Sequence, residues 1–170
     1  MGTVEIVLQD ASGRGVRAHC RIILQRLLEA TGRAGAGVAL LLAPDRAVRT
    51  LNRRYRQVDR VTDVLAFPSA GDLEPAQPHL GEIAIALPQA RRQARLARWP
   101  LRSELALLVT HGFLHLLGYD HELDDGTMHR LEKELLERVA GVRIDRRALP
   151  WADSATPQRR RRGGAGRTRP

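Results

Sequence analysis

The chain has 170 residues, 43% of them hydrophobic, with 28 Lys and Arg against 19 Asp and Glu, for a formal net charge of +9. That length suits one domain with a single core, and an aromatic content of 4% leaves aliphatic side chains to fill it. No apolar run approaches the roughly 18–20 residues of a membrane span. The first residues lack the basic and apolar regions of a signal peptide, and one cysteine, Cys20, cannot close an internal disulfide, so the expected compartment is a reducing cytoplasm.

Residues 4–8 (VEIVL) alternate as a strand does. Val16, Cys20, Ile23, Leu24, Leu27 and Leu28 recur at helical spacing as far as about Ala30, and Gly32 closes that segment. Residues 38–42 (VALLL) form a short apolar run that reads as a buried strand. Asp45, after Pro44, is placed to cap a helix running to about Tyr55. Residues 63–67 (DVLAF) predict a third strand ended by Pro68. Residues 69–80, with Gly71, Pro75 and Pro78, read as a loop, and residues 82–86 (EIAIA) alternate as a fourth strand.

Pro88 opens a helix through about Trp99, and Arg91, Arg92, Arg95 and Arg98 make its surface basic. The next helix follows Pro100 and runs to Leu117. It carries Leu101, Leu105, Leu108 and Val109 and is apolar nearly all round, which predicts a central, buried helix. Asp124 or Asp125 begins a last helix, with Met128, Leu131, Leu135, Leu136 and Val139 on its apolar stripe and Gly141 at its end. Beyond Trp151 the chain turns polar, basic and rich in Gly and Pro, the composition of a disordered tail. There Arg159, Arg160, Arg161, Arg162, Arg167 and Arg169 face a single acid, Asp153. The expectation is an α+β fold. One metal-binding catalytic domain spans residues 1–150, with a mixed sheet of about four strands packed with about five helices, and a basic tail follows over 151–170.

Half of the six histidines fall in one run, HGFLHLLGYDH, as His111, His115 and His121. His111 and His115 are four apart, so on a helix they share a face with Cβ atoms roughly 5–6 Å apart. Gly118 offers a helix stop, because glycine takes the left-handed conformation without steric cost, and the returning chain can bring His121 round to complete a triangle. Three neutral imidazoles and one open position are a pattern for catalytic zinc, one ion per chain; nickel and copper also suit imidazole. A closed structural site would want a fourth Cys or His, and Cys20 is far away in sequence. Hydrogen-bonded core histidines are the plainer alternative.

The spacing matches the zinc-protease signature H-E-x-x-H-x-x-G-x-x-H, except that Gly112 holds the place of the glutamate that serves as general base. That argues against a metallopeptidase. Phosphodiester cleavage asks instead for an anion to be positioned and its developing charge neutralised, which a metal with an arginine clamp supplies. The basic balance of the chain agrees with a polyanionic partner such as nucleic acid. Arg56, in LNRRYRQVDRVTDVLAFP, is the foremost arginine for that clamp. Asp63 is read as a local orienting group or a solvated loop aspartate. Asp120 is read as a partner for a histidine N–H or a turn residue, and His129 as an ordinary boundary histidine.

HGFLHLLGYDH resembles the signature H-G-x-L-H-L-x-G-Y-D-H of the YbeY family of bacterial metal-dependent endoribonucleases. LNRRYRQVDRVTDVLAFP and LGEIAIA resemble two further segments of that family in the same order, over roughly residues 38–140. Val61 stands where the family usually has Pro, which should loosen the loop before the strand, and Ala66 stands where it usually has Ser. The resemblance implies a zinc-binding maturation factor that cuts single-stranded RNA, acting at the 3′ end of small-subunit (16S) ribosomal RNA and in ribosome quality control. Its partners would be ribosomal RNA and the ribosome or its small subunit, with no DNA and no membrane. It implies metal ligands at His111, His115 and His121, and catalytic roles for Arg56 and His115. The rival reading is a non-catalytic assembly factor that zinc merely stabilises; there, metal removal would unfold the protein, and RNA binding rather than cleavage would track function.

Overall fold

The computed structural model describes residues 2–9, 11–69, 78–120 and 125–144. The expected tail over 151–170 lies outside them. Four strands, β1 (Val4–Leu8), β2 (Gly37–Ala43), β3 (Val64–Pro68) and β4 (His79–Ala86), form one sheet in the order β1-β2-β4-β3. β1 and β4 run parallel to β2, whereas β3 runs antiparallel to β4 and forms an edge of the sheet. Five helices accompany it: α1 (Arg14–Ala30), α2 (Asp45–Arg56), α3 (Leu87–Leu96), α4 (Leu101–Leu116) and α5 (Thr127–Ala140). The expected α+β class, mixed sheet and set of elements all hold.

Alternation along the strands creates two cores. Val4, Ile6, Val38, Leu40, Leu42, Ala66, Ile83 and Ile85 point to one face and pack with α1, α4 and α5. Ala43, Leu65, Ala84 and Ala86 point to the other and pack with Val48 and Leu51 of α2. The period-2 pattern of strand side chains makes this division automatic once the register is set. Helices therefore lie on both faces, with α2 alone against the smaller core.

α4 is the central helix expected from its composition: Leu105, Val109, Phe113 and Leu114 are fully buried. It lies so close to β4 that a Cβ on Gly112 would stand 2.8 Å from Cγ2 of Ile83. Cys20 is buried in α1, and burial pushes its thiol up to about 12, so it behaves as a small apolar side chain.

Several boundaries differ from the expectation for local reasons. Pro44, in extended conformation, is the residue that precedes the first turn of α2, and Asp45 lies inside that turn. The Asp45 carboxylate accepts a 2.6 Å bond from Arg92 on α3 instead of capping its own helix. β4 begins at His79, three residues before the alternating run, because Gly81 (φ 134°) lets the strand bend where a Cβ would strike the carbonyl of Phe67. α5 begins at Thr127 behind Gly126 in the left-handed conformation, two or three residues later than Asp125 or Asp124 suggests. The loop before β3 is pinned despite Val61: Asn52 donates to the Arg60 carbonyl at 2.9 Å, Arg49 grips Asp59 at 2.8 and 3.0 Å, and Val61 packs on the smaller core.

Candidate metal centre

α4 ends as glycine allows. Gly118 takes φ 89°; its N–H donates to the His115 carbonyl at 3.0 Å and that of Tyr119 to the Leu114 carbonyl at 3.1 Å. These two bonds are the Schellman pattern, and the partly buried Tyr119 packs on the core beside it. The last two turns of α4 thus hold His111 and His115 firmly at the core's margin.

The two rings converge. Their Nε2 atoms lie 3.1 Å apart, with ring centroids 4.7 Å apart and planes at 79°. Two nitrogens on one tetrahedral zinc, each about 2.0–2.1 Å from the ion, would stand roughly 3.3 Å apart. The donor pair therefore fits a shared divalent cation.

Behind His111 stands a side chain that the sequence reading passed over. Glu132, on α5 and only 1% exposed, accepts a 2.9 Å hydrogen bond from Nδ1 of His111. This fixes the ring as the Nδ1–H tautomer and leaves the Nε2 lone pair directed at His115. A carboxylate behind a metal-binding imidazole orients the ring and raises its basicity in this way. A signal was present: Glu132 interrupts the apolar stripe of α5 one turn after Met128, at a position where a charge is costly to bury.

A second buried polar group lies two turns before His111 on the same face of α4. Glu104 is fully buried, and one carboxylate oxygen accepts a 2.8 Å bond from the Trp99 indole while the other has no partner among the described residues. Burial pushes its carboxyl up to about 7; the Trp99 bond opposes the rise and the nearby Asp63 charge adds to it. Asp63 itself is a built-in orienting group. It accepts from the Val64 N–H at 2.8 Å and from the side chain of the buried Gln93 at 3.0 Å.

The family model described as Endoribonuclease YbeY matches residues 9–140. The chain belongs to the YbeY family. A relative of that name from Anaeromyxobacter is 42% identical over 137 residues, 78% of this chain and 70% of that protein. One from Thermus thermophilus is 40% identical over 72% of this chain and 88% of its own length. The solution structure of a Thermotoga maritima protein matches with a TM-score of 0.59 and 28% identity, over 93% of this chain and 100% of that one.

Within this YbeY-family fold, the residues expected from sequence fall as follows. His111 and His115 are brought together. His121 lies outside the described residues, and among the described residues no third His, Cys, Asp or Glu joins the pair in a group able to hold a metal. Arg56 is exposed in the last turn of α2, on the opposite face of the sheet from α4. Asp120 and His129 are half-buried. Ala66 is buried against the α4 side of the sheet. Gly112 leaves no room for the protease glutamate, because any side chain there would enter Ile83.

Of the basic residues on α3, Arg91 is committed to the Ser12 carbonyl at 3.0 Å and Arg92 to Asp45. The expected basic surface of that helix is thus partly structural. No helix among the described residues is long and apolar enough to cross a membrane.

Proposed function

We propose that this chain, an endoribonuclease by family, is a metal-dependent enzyme that cuts single-stranded ribosomal RNA in the cytoplasm. The observation that carries the metal is the convergence of His111 and His115, with Nε2 atoms 3.1 Å apart and the His111 tautomer fixed by Glu132. His111, His115 and His121 would hold one divalent ion, zinc in the first instance, with one coordination position left for substrate. When bound, such an ion neutralises developing phosphate charge and can lower the pKa of a bound water toward 7.

The chain's own residues supply the rest. Glu132 keeps the proton of His111 on Nδ1 and so keeps Nε2 available. Gly112 lets α4 approach the sheet and excludes a general base at the protease position. Arg56 and its neighbours at the end of α2 offer exposed guanidinium groups for phosphates, which they can grip in bidentate fashion. The finer assignment rests on the HGFLHLLGYDH resemblance: maturation of the 16S rRNA 3′ end, ribosome quality control, and association with the ribosome or small subunit. Cleavage of single-stranded RNA by wild-type, metal-stripped and His115→Ala protein tests the proposal. Loss of cleavage in the latter two supports it, and undiminished cleavage in both refutes it.

A further inference from the structure

Tyr55 is one of two tyrosines in a chain poor in aromatics, yet 55% of it is open to solvent. It stands in the last turn of α2, held but not covered. Phe67 of β3 meets its ring nearly edge-on, with centroids 5.1 Å apart and planes at 67°, and the Arg54 guanidinium lies 5.4 Å from its centroid. Such edge and cation contacts fix a ring's orientation while leaving surface free.

The surroundings are cationic. Arg53, Arg54 and Arg56 close α2 and are all exposed. The close ion pairs nearby engage Arg49 with Asp59 and Arg92 with Asp45. Arg53 acts on Asp59 only through space, Arg54 lies over the Tyr55 ring, and neither they nor Arg56 forms a close ion pair among the described residues.

The position also relates to the histidines. Among the described residues β3 is an edge strand, paired only with β4. Gly112 of α4 rests on Ile83, Ile83 pairs with Ala66, and the next residue of β3 is Phe67, which turns to the other face to meet Tyr55. Gly112, the neighbour of His111 in α4, and Tyr55 thus lie against the same short stretch of β3 and β4 from opposite faces.

We propose that Tyr55 is a stacking platform for an unpaired base of the RNA, with Arg53, Arg54 and Arg56 holding the phosphates beside it. The inference rests on the RNA-cleaving function above and adds a subsite to it. A platform of this kind favours single strands, because only an unpaired base offers a free face, and it tolerates sequence, because every base has one.

The test compares wild type with Tyr55→Phe, Tyr55→Leu and Tyr55→Ala. Each binds a short unstructured oligoribonucleotide and an abasic copy of it, read by fluorescence anisotropy before cleavage is detectable. Tyr55→Leu keeps an apolar contact with Phe67, so it guards against a folding defect in Tyr55→Ala. Removing the ring should weaken binding of the intact oligomer by about 10-fold or more, and Tyr55→Phe should retain it. Wild type should prefer the intact oligomer over the abasic one, and both ring-less variants should lose that preference. Wild-type affinity and preference in the ring-less variants, or a loss in Tyr55→Phe as large as in Tyr55→Ala, overturns the platform. A wild type that neither binds nor cuts single-stranded RNA overturns the parent reading instead.

Discussion

Glu132 accepts the Nδ1 proton of His111 at 2.9 Å, joining α5 to α4 through a carboxylate that is only 1% exposed. Removing the acceptor leaves a donor in a poorly solvated place, at a cost of about 1–3 kcal/mol. It also releases the tautomer. Glu132→Ala is therefore expected to lower metal affinity by about 10- to 100-fold, read by competition with a chromophoric chelator. Glu132→Gln, which still accepts a hydrogen bond but carries no charge, should fall between the two. Affinity unchanged in both variants would remove Glu132 from the site.

Gly112 opposes two effects that can be compared in size. Glycine to alanine within a helix normally gains about 1 kcal/mol. Here the added methyl would stand 2.8 Å from Ile83, and overpacking a well-filled core costs typically about 1–3 kcal/mol. The clash is expected to win, so Gly112→Ala should lower the denaturant midpoint in chemical unfolding. Gly112→Glu should lower it much further and create no peptidase.

Glu104 links stability to pH. Its carboxyl is raised from 4.5 to about 7 by burial, so the folded state binds the proton more tightly than the unfolded state. The stability it contributes is fully present below about pH 4.5 and is lost as pH rises through 7. The loss is at most roughly 3 kcal/mol. Glu104→Gln keeps an acceptor for the Trp99 indole and has nothing to ionise. The variant's stability relative to wild type should therefore rise between pH 5 and pH 8, measured by urea unfolding at each pH. A difference that stays flat across that range contradicts the shift.

Much of this architecture is legible from residue order. Strand alternation gives β1 to the residue, the apolar run VALLL gives β2 nearly so, and the flanking prolines and glycines give α4 and the end of α5. What pattern cannot give is partnership across distance. Asp45 looks like a cap until Arg92 of another helix claims it, and Asp63 looks like a loop residue until Gln93 reaches it. In α4 the apolar majority draws attention away from Glu104. Glu132 could have been found as a charge at a core position, but the ring it serves is known only once α5 lies against α4. Two histidines four apart are legible as a pair, whereas the 3.1 Å approach of their nitrogens is a fact of rotamers.

RNA binding should weaken with salt, because each neutralised phosphate of a single strand contributes a slope of about −0.7 to the logarithmic plot. Arg56→Ala is expected to make that slope shallower by about one phosphate and to reduce cleavage while leaving the unfolding midpoint unchanged, since Arg56 is exposed. Truncation after Pro150 should also flatten the slope if the arginines of 151–170 touch phosphates. A slope that none of these changes alters would place the RNA elsewhere.

The central claim is met most directly by elemental analysis of purified wild-type protein beside His111→Ala, His115→Ala and His121→Ala, with single-stranded RNA cleavage measured on the same samples. The account predicts about one divalent ion per wild-type chain, little or none in the three variants, and cleavage that falls in step with metal content. A wild type that cuts RNA without stoichiometric metal, or variants that keep the ion, would contradict it.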